Sequence, residues 1–123
     1  MLTTPYVVGA DEAAAMARAG AVFVVCHLGL TTGGSIGAET ALKLADCPVK
    51  VDAWAEAALK VRRDVIVLVH GGPVSSPEDA AFIISNTRNC HGFYGASSME
   101  RLPTEVALTE QTRKFKAIGC QRG

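Results

Sequence analysis

The sequence predicts an α/β fold built from βα units on a parallel sheet, and three observations carry that expectation. Short β-branched runs alternate with longer Ala-rich amphipathic segments along the chain. The two central runs, "VFVVCH" and "VIVLVH", are almost wholly apolar, as strands buried on both faces are. The length of 123 residues, with 49% hydrophobic and 20% charged residues, suits one domain, residues 1–123, with a substantial core.

Four strands are expected, at Thr4–Val8, Val22–His27, Val65–His70 and, shortest, Gly92–Tyr94. The first helix is expected from about Glu12 to Ala19, with Asp11 capping its start and Gly20 ending it. The next connection is long. It opens as a Gly/Thr loop, "GLTTGGSIG", leads into a short helix near Ala38–Ala45, and continues as a firmer helix after Pro48. Val51, Trp54, Ala55, Ala58 and Leu59 share one face of that helix by their three- and four-residue spacing. In "SSPEDAAF", Ser76 is placed to cap, Pro77 fits the first helical position, and Asp79 stands where a capping-box acid stands; this helix is expected to reach about Thr87. A last helix from about Pro103 carries Val106, Leu108, Phe115 and Ile118 until Gly119.

Composition excludes several function classes. Twelve basic and twelve acidic residues cancel, and no basic block interleaves with aromatics, so neither a nucleic-acid partner nor a charged membrane surface is expected. The longest apolar stretch, Ala21–Cys26, is far too short to span a bilayer. The N-terminal "MLTTPYVVGADE" has neither a cationic leader nor an apolar signal core, which points to the cytoplasm and to reduced cysteines. Cys26, Cys47, Cys90 and Cys120 are scattered, without zinc-type spacing.

The two central strands end alike, in His, one residue, then Gly: "VFVVCHLG" and "VIVLVHGG". In parallel βα architectures the loops after the C-terminal strand ends form the ligand-binding face. His27, His70, "TTGG", "HGGP" and "GASS" are therefore expected on one rim.

"CHLGLTTGGSIGA", "LVHGGPVSSPEDAAFIISNT" and "HGFYGASSMERLPTEVALTEQTRKFK" together resemble the C-terminal half of the phosphoenolpyruvate hydrolase-like family of TIM barrels, also called TIM-barrel signal transduction. The resemblance covers nearly the whole chain. It implies the C-terminal half of a TIM barrel, about four βα units resembling units five to eight, and kinship with the phosphoenolpyruvate/pyruvate superfamily, whose members make or break bonds beside an enolate. Family members also serve as modules of transcriptional regulators and of a plant antiviral resistance protein. The superfamily holds Mg²⁺ on carboxylates of the earlier strands. None of the four strand ends here carries Asp or Glu, so the ligands for such a metal are not evident in this chain. The partner implied is the missing barrel half or a second copy.

His70, between an apolar strand and two glycines, is placed either for acid/base chemistry near neutral pH or for a bond to neighbouring backbone. His27 holds the equivalent place one strand earlier. A metal shared by Cys26, His27 and His70 is disfavoured, because consecutive strand residues point to opposite faces. His91 lies away from the rim and reads as structural. Gly71, Gly72, Gly95, Ser97 and Ser98 are candidate anion binders through backbone amides and hydroxyls, as well as ordinary turn and cap residues. Glu100 and Arg101 either reach the rim, with Arg101 forked onto an anion, or pair with each other. Thr31, Thr32, Gly33, Gly34, Ser35 and Gly37 read as a loop that closes over ligand. The expected ligand is a small phosphorylated or carboxylated keto or enol acid. A hydrolase-like enzyme and a non-catalytic sensing module both fit these residues.

Overall fold

The computed structural model describes residues 1–35 and 42–118. Four strands, β1 (Tyr6–Val7), β2 (Phe23–His27), β3 (Ile66–His70) and β4 (Gly92–Phe93), form one sheet in the order β1-β2-β3-β4 with every pair parallel. Between and after them run α1 (Ala10–Arg18), α2 (Cys47–Val61), α3 (Pro77–Ser85) and α4 (Arg101–Lys116). Consecutive strands are neighbours and each of the first three connections carries a helix, an α/β arrangement consistent with half a TIM barrel.

Strand alternation sorts the side chains. Val24, Cys26, Val67 and Val69 face one way and join Ala13 and Ala17 of α1, Val51, Ala55 and Ala58 of α2, and Ala80 and Ile83 of α3 in one buried core. Small residues on the helices let them sit close to the sheet. Trp54 and Leu59 pack against this core from its margin, so the whole face expected of α2 is used.

Side-chain hydrogen bonds set the starts of α1 and α3, with one correction. Asp11 does not cap α1: the N-cap is Gly9, and Asp11 lies in the first turn. The helix starts earlier than expected because Glu12 reaches back, its carboxylate accepting the Val8 N–H at 2.9 Å. The α3 start is as expected. Ser76 Oγ accepts the Asp79 N–H, and the Asp79 carboxylate accepts the Ser76 N–H, a full capping box with Pro77 in the first turn. The short helix expected near Ala38–Ala45 falls largely outside the described residues, which show one 3₁₀ turn at Leu44–Asp46. Gly37, Gly119 and Cys120 lie outside them too.

His91 has a structural place, as its position suggested. Its backbone N–H donates to the Val67 carbonyl at 2.8 Å, and its Nδ1 accepts the Val67 N–H at 3.0 Å. A side chain thus completes the β3 ladder just before β4 begins.

Candidate functional site

The parallel register sets His27 directly beside His70, the last residues of β2 and β3. Both lie on the sheet face opposite the helices, with ring centroids 5.1 Å apart. Tyr6 of β1 reaches over from the edge of the sheet. Its ring stacks on His70 at 4.9 Å and tilts against His27 at 5.0 Å, while Tyr94 meets the His70 ring edge-on at 6.0 Å. The Tyr94 hydroxyl is 3.3 Å from Thr4 Oγ1, which ties the two edges of the cluster together.

Backbone bonds fix the two imidazoles in opposite tautomers. The His70 Nδ1 lies 2.6 Å from the Tyr94 carbonyl oxygen, which can only accept, so the neutral form of His70 carries its proton on Nδ1 and has Nε2 as an acceptor. The His27 Nδ1 accepts the Gly29 N–H at 3.2 Å, so neutral His27 carries its proton on Nε2. Burial, and then the neighbouring His70, push the His27 pKa below its ordinary value, which keeps it in that neutral form near pH 7. One ring therefore offers a proton acceptor and the other a proton donor.

A hollow of about 300 Å³ opens onto this pair, lined by His27, Gly29, Leu30, Thr31, His70, Ala96, Ser97 and Arg101. Of the residues expected on the rim, His27, Thr31, His70, Ala96, Ser97 and Arg101 meet there. The others take different places. Gly71 and Gly72 both have positive φ, and a side chain at either would run into the carbonyl of Gly29 or Leu28. The Gly72 N–H donates to the Gly29 carbonyl at 2.6 Å, and the Gly72 carbonyl accepts from the N–H and hydroxyl of Thr32. These glycines stitch the turn after β3 to the turn after β2. Gly95 packs beneath Met99, Ser98 lines a separate hollow with Ser75 and Pro77, and Glu100 is the exposed N-cap residue of α4.

Arg101 pairs with Glu105, not Glu100. Its Nη1 donates to Glu105 Oε1 at 2.8 Å and its Nη2 to the Gly33 carbonyl at 3.0 Å. Glu105 and Tyr6 were missed in the sequence. The i, i+4 spacing of Arg101 and Glu105 was the available signal for the first; nothing in the sequence announces that a residue on β1 stacks on the end of β3.

Cys26 and Cys47 are packing residues. Burial pushes the Cys26 thiol up to about 12 and the Cys47 thiol up to about 11, far from a reactive thiolate. Cys26 faces the helix core, away from His27, as strand alternation requires. Among the described residues, no three His, Cys, Asp or Glu side chains converge as metal ligands.

A family model described as phosphoenolpyruvate hydrolase-like matches residues 1–118. The chain belongs to that family. Two tomato (Solanum lycopersicum) proteins, the ToMV susceptible protein tm-1(GCR26) and the ToMV resistance protein Tm-1(GCR237), are each 54% identical to it over 121 residues. That stretch is 98% of this chain and 16% of each tomato protein. A protein of Sinorhizobium fredii, y4pA, named as a candidate transcriptional regulatory protein, is 29% identical over 119 residues, 97% of this chain and 19% of its own. The chain thus spans less than a fifth of these relatives.

Proposed function

We propose that this phosphoenolpyruvate hydrolase-like chain supplies the proton-transfer part of a site for a small carboxylated or phosphorylated keto or enol acid. The carrying observation is the His27/His70 pair, set in opposite tautomers at adjoining strand ends and opening onto the same hollow. With phosphoenolpyruvate, water attacks phosphorus, the P–O bond to the enol carbon breaks, and pyruvate enolate leaves. His70 Nε2 accepts the proton of the attacking water, and the His27 Nε2–H donates a hydrogen bond to the enolate oxygen as its charge develops. The proton taken up by His70 Nε2 is then returned, directly or through water, to the enolate carbon, which gives pyruvate and restores neutral His70. Ser97 and Arg101 are the groups in the hollow suited to the acid's carboxylate.

A second reading, a ligand-sensing module without turnover, is favoured by the regulatory relative. The proposed setting is the cytoplasm, where the described cysteines, all free thiols, stay reduced. The proposed partner is a second set of βα units, from a longer chain like those of the relatives, closing the face that carries the histidines.

Release of phosphate and pyruvate from phosphoenolpyruvate tests the reading, alongside calorimetric binding. His70→Gln is expected to abolish turnover while binding stays within about threefold of wild type, because a loss confined to turnover marks a proton-transfer group. Binding without turnover in the wild type selects the sensing module, and neither binding nor turnover overturns both.

A further inference from the structure

Between β2 and α2 the chain makes a turn, residues 31–35, whose far end is fastened to α4. The Ser35 N–H donates to Glu105 Oε2 at 2.9 Å and the Ser35 hydroxyl to Glu105 Oε1 at 3.2 Å. The same carboxylate holds the Arg101 guanidinium, whose other terminal nitrogen bonds the Gly33 carbonyl. One carboxylate therefore fixes both a loop and a cation, and the cation lines the hollow of the histidine pair.

Backbone geometry supports the same contact independently. Gly34 has φ of +86°, and a Cβ there would run into Arg101 Nη1, Glu105 Oε2 and the Leu102 side chain. Only glycine lets the loop lie against this pair. Both ionic side chains are mostly covered, with 21% and 27% exposure for Arg101 and Glu105, so the contact is not a loose surface pair.

We infer that Glu105 is a positioning residue of the candidate site: it holds Arg101 in the wall of the hollow and docks the Thr31–Ser35 loop beside it. The inference rests on the proposed function only for the purpose the clamp serves; the clamp itself is a property of the unliganded chain. A long arginine side chain loses much rotamer freedom when it binds an anion. Glu105 and the Gly33 carbonyl hold the guanidinium in advance, which lowers that cost for an incoming carboxylate or phosphate. The loop and the anion site are thereby coupled, because removing the carboxylate releases both.

The test compares wild type with Glu105→Ala and Glu105→Gln in two arms. Without ligand, hydrogen exchange of the Ser35 amide and the resolved guanidinium resonances of Arg101 report the clamp. Glu105→Ala is expected to speed Ser35 exchange at least about tenfold, the factor matching loss of one charge-assisted hydrogen bond, and to merge the Arg101 resonances. Glu105→Gln, which keeps an acceptor for Ser35, is expected to recover most of the exchange protection and not the guanidinium order. With phosphoenolpyruvate or inorganic phosphate titrated by calorimetry, Glu105→Ala is expected to bind about tenfold more weakly, with an unchanged unfolding midpoint. Unchanged Ser35 exchange and Arg101 resonances in Glu105→Ala overturn the inference, whatever the anion does. Loosened loop and guanidinium with equal anion affinity in all three proteins also overturn it, leaving a clamp unrelated to the site. If wild type binds no anion while the ligand-free arm responds as expected, the proposed function falls and the positioning of Arg101 and the loop by Glu105 stands.

Discussion

Histidines at three positions do three different jobs, and the backbone atom each one meets decides which. His91 replaces a missing carbonyl by accepting the Val67 N–H. His91→Ala is expected to lower stability by about 1 kcal/mol, the low end of the usual penalty, because the ring is exposed enough for water to substitute; a shift of the urea midpoint checks it. His27 is held neutral by burial and by His70. Its folded pKa lies below the ordinary 6.5, so between those values the unfolded chain binds more protons. The associated stability is full above about pH 6.5 and is lost as pH falls through the folded pKa. Urea midpoints for wild type are therefore expected to drop between pH 7 and 5.5 by more than those of His27→Gln, and parallel profiles would contradict this. The sequence marked His27 and His70 because both end apolar strands beside glycine. It did not disclose their tautomers, which depend on two backbone groups, the Gly29 N–H and the Tyr94 carbonyl, placed only by the folded turns.

At the scale of elements, the strands were legible from apolar runs and α3 from its capping box. The turn after β3 was legible as a turn, and its purpose was not. "HGGP" suggested amides open to an anion, yet the Gly72 N–H is taken up by Gly29 and the left-handed backbone serves the contact between two loops. Gly72→Ala is accordingly expected to destabilise the chain by more than the roughly 1 kcal/mol that a left-handed residue costs, since its Cβ would also strike the Leu28 carbonyl. Calorimetric unfolding measures it. A neutral effect would mean the turn relaxes freely. α4 shows the limit of spacing: the last helix was expected to carry Val106, Leu108, Phe115 and Ile118, and all four are exposed, Ile118 just past the helix end. Spacing shows that a helix has apolar residues; it does not show whether a partner lies within the same chain.

The whole molecule shows more surface than a compact monomer of its size. Its accessible area is 7813 Å², against roughly 6,300 Å² expected for 12.9 kDa. Among the described residues, open apolar surface lies in particular places. Phe23, Ile66, Leu68, Tyr6 and Tyr94 leave the histidine-bearing face of the sheet partly open, β1 and β4 are unpaired on their outer sides among the described residues, and α4 buries none of its side chains. Sedimentation of the chain alone is expected to show self-association that co-expression with further βα units from a longer relative suppresses. A monomer at all concentrations would count against the uncovered face as an interface. The fold class was readable because local pattern sets it; the site was readable only in part, because its ring contacts and the His70–Tyr94 bond join residues far apart in sequence.

The strand ends hold two imidazoles in opposite neutral tautomers. Long-range ¹H–¹⁵N correlation of the histidine rings at pH 7.5 reads this directly. The expected result is a protonated Nδ1 on His70 with an unprotonated Nε2, and the reverse on His27, with the pattern of His70 lost when Tyr94 is displaced by a deletion of Gly95. The same tautomer on both rings, or two rings averaging freely between tautomers, would contradict the account.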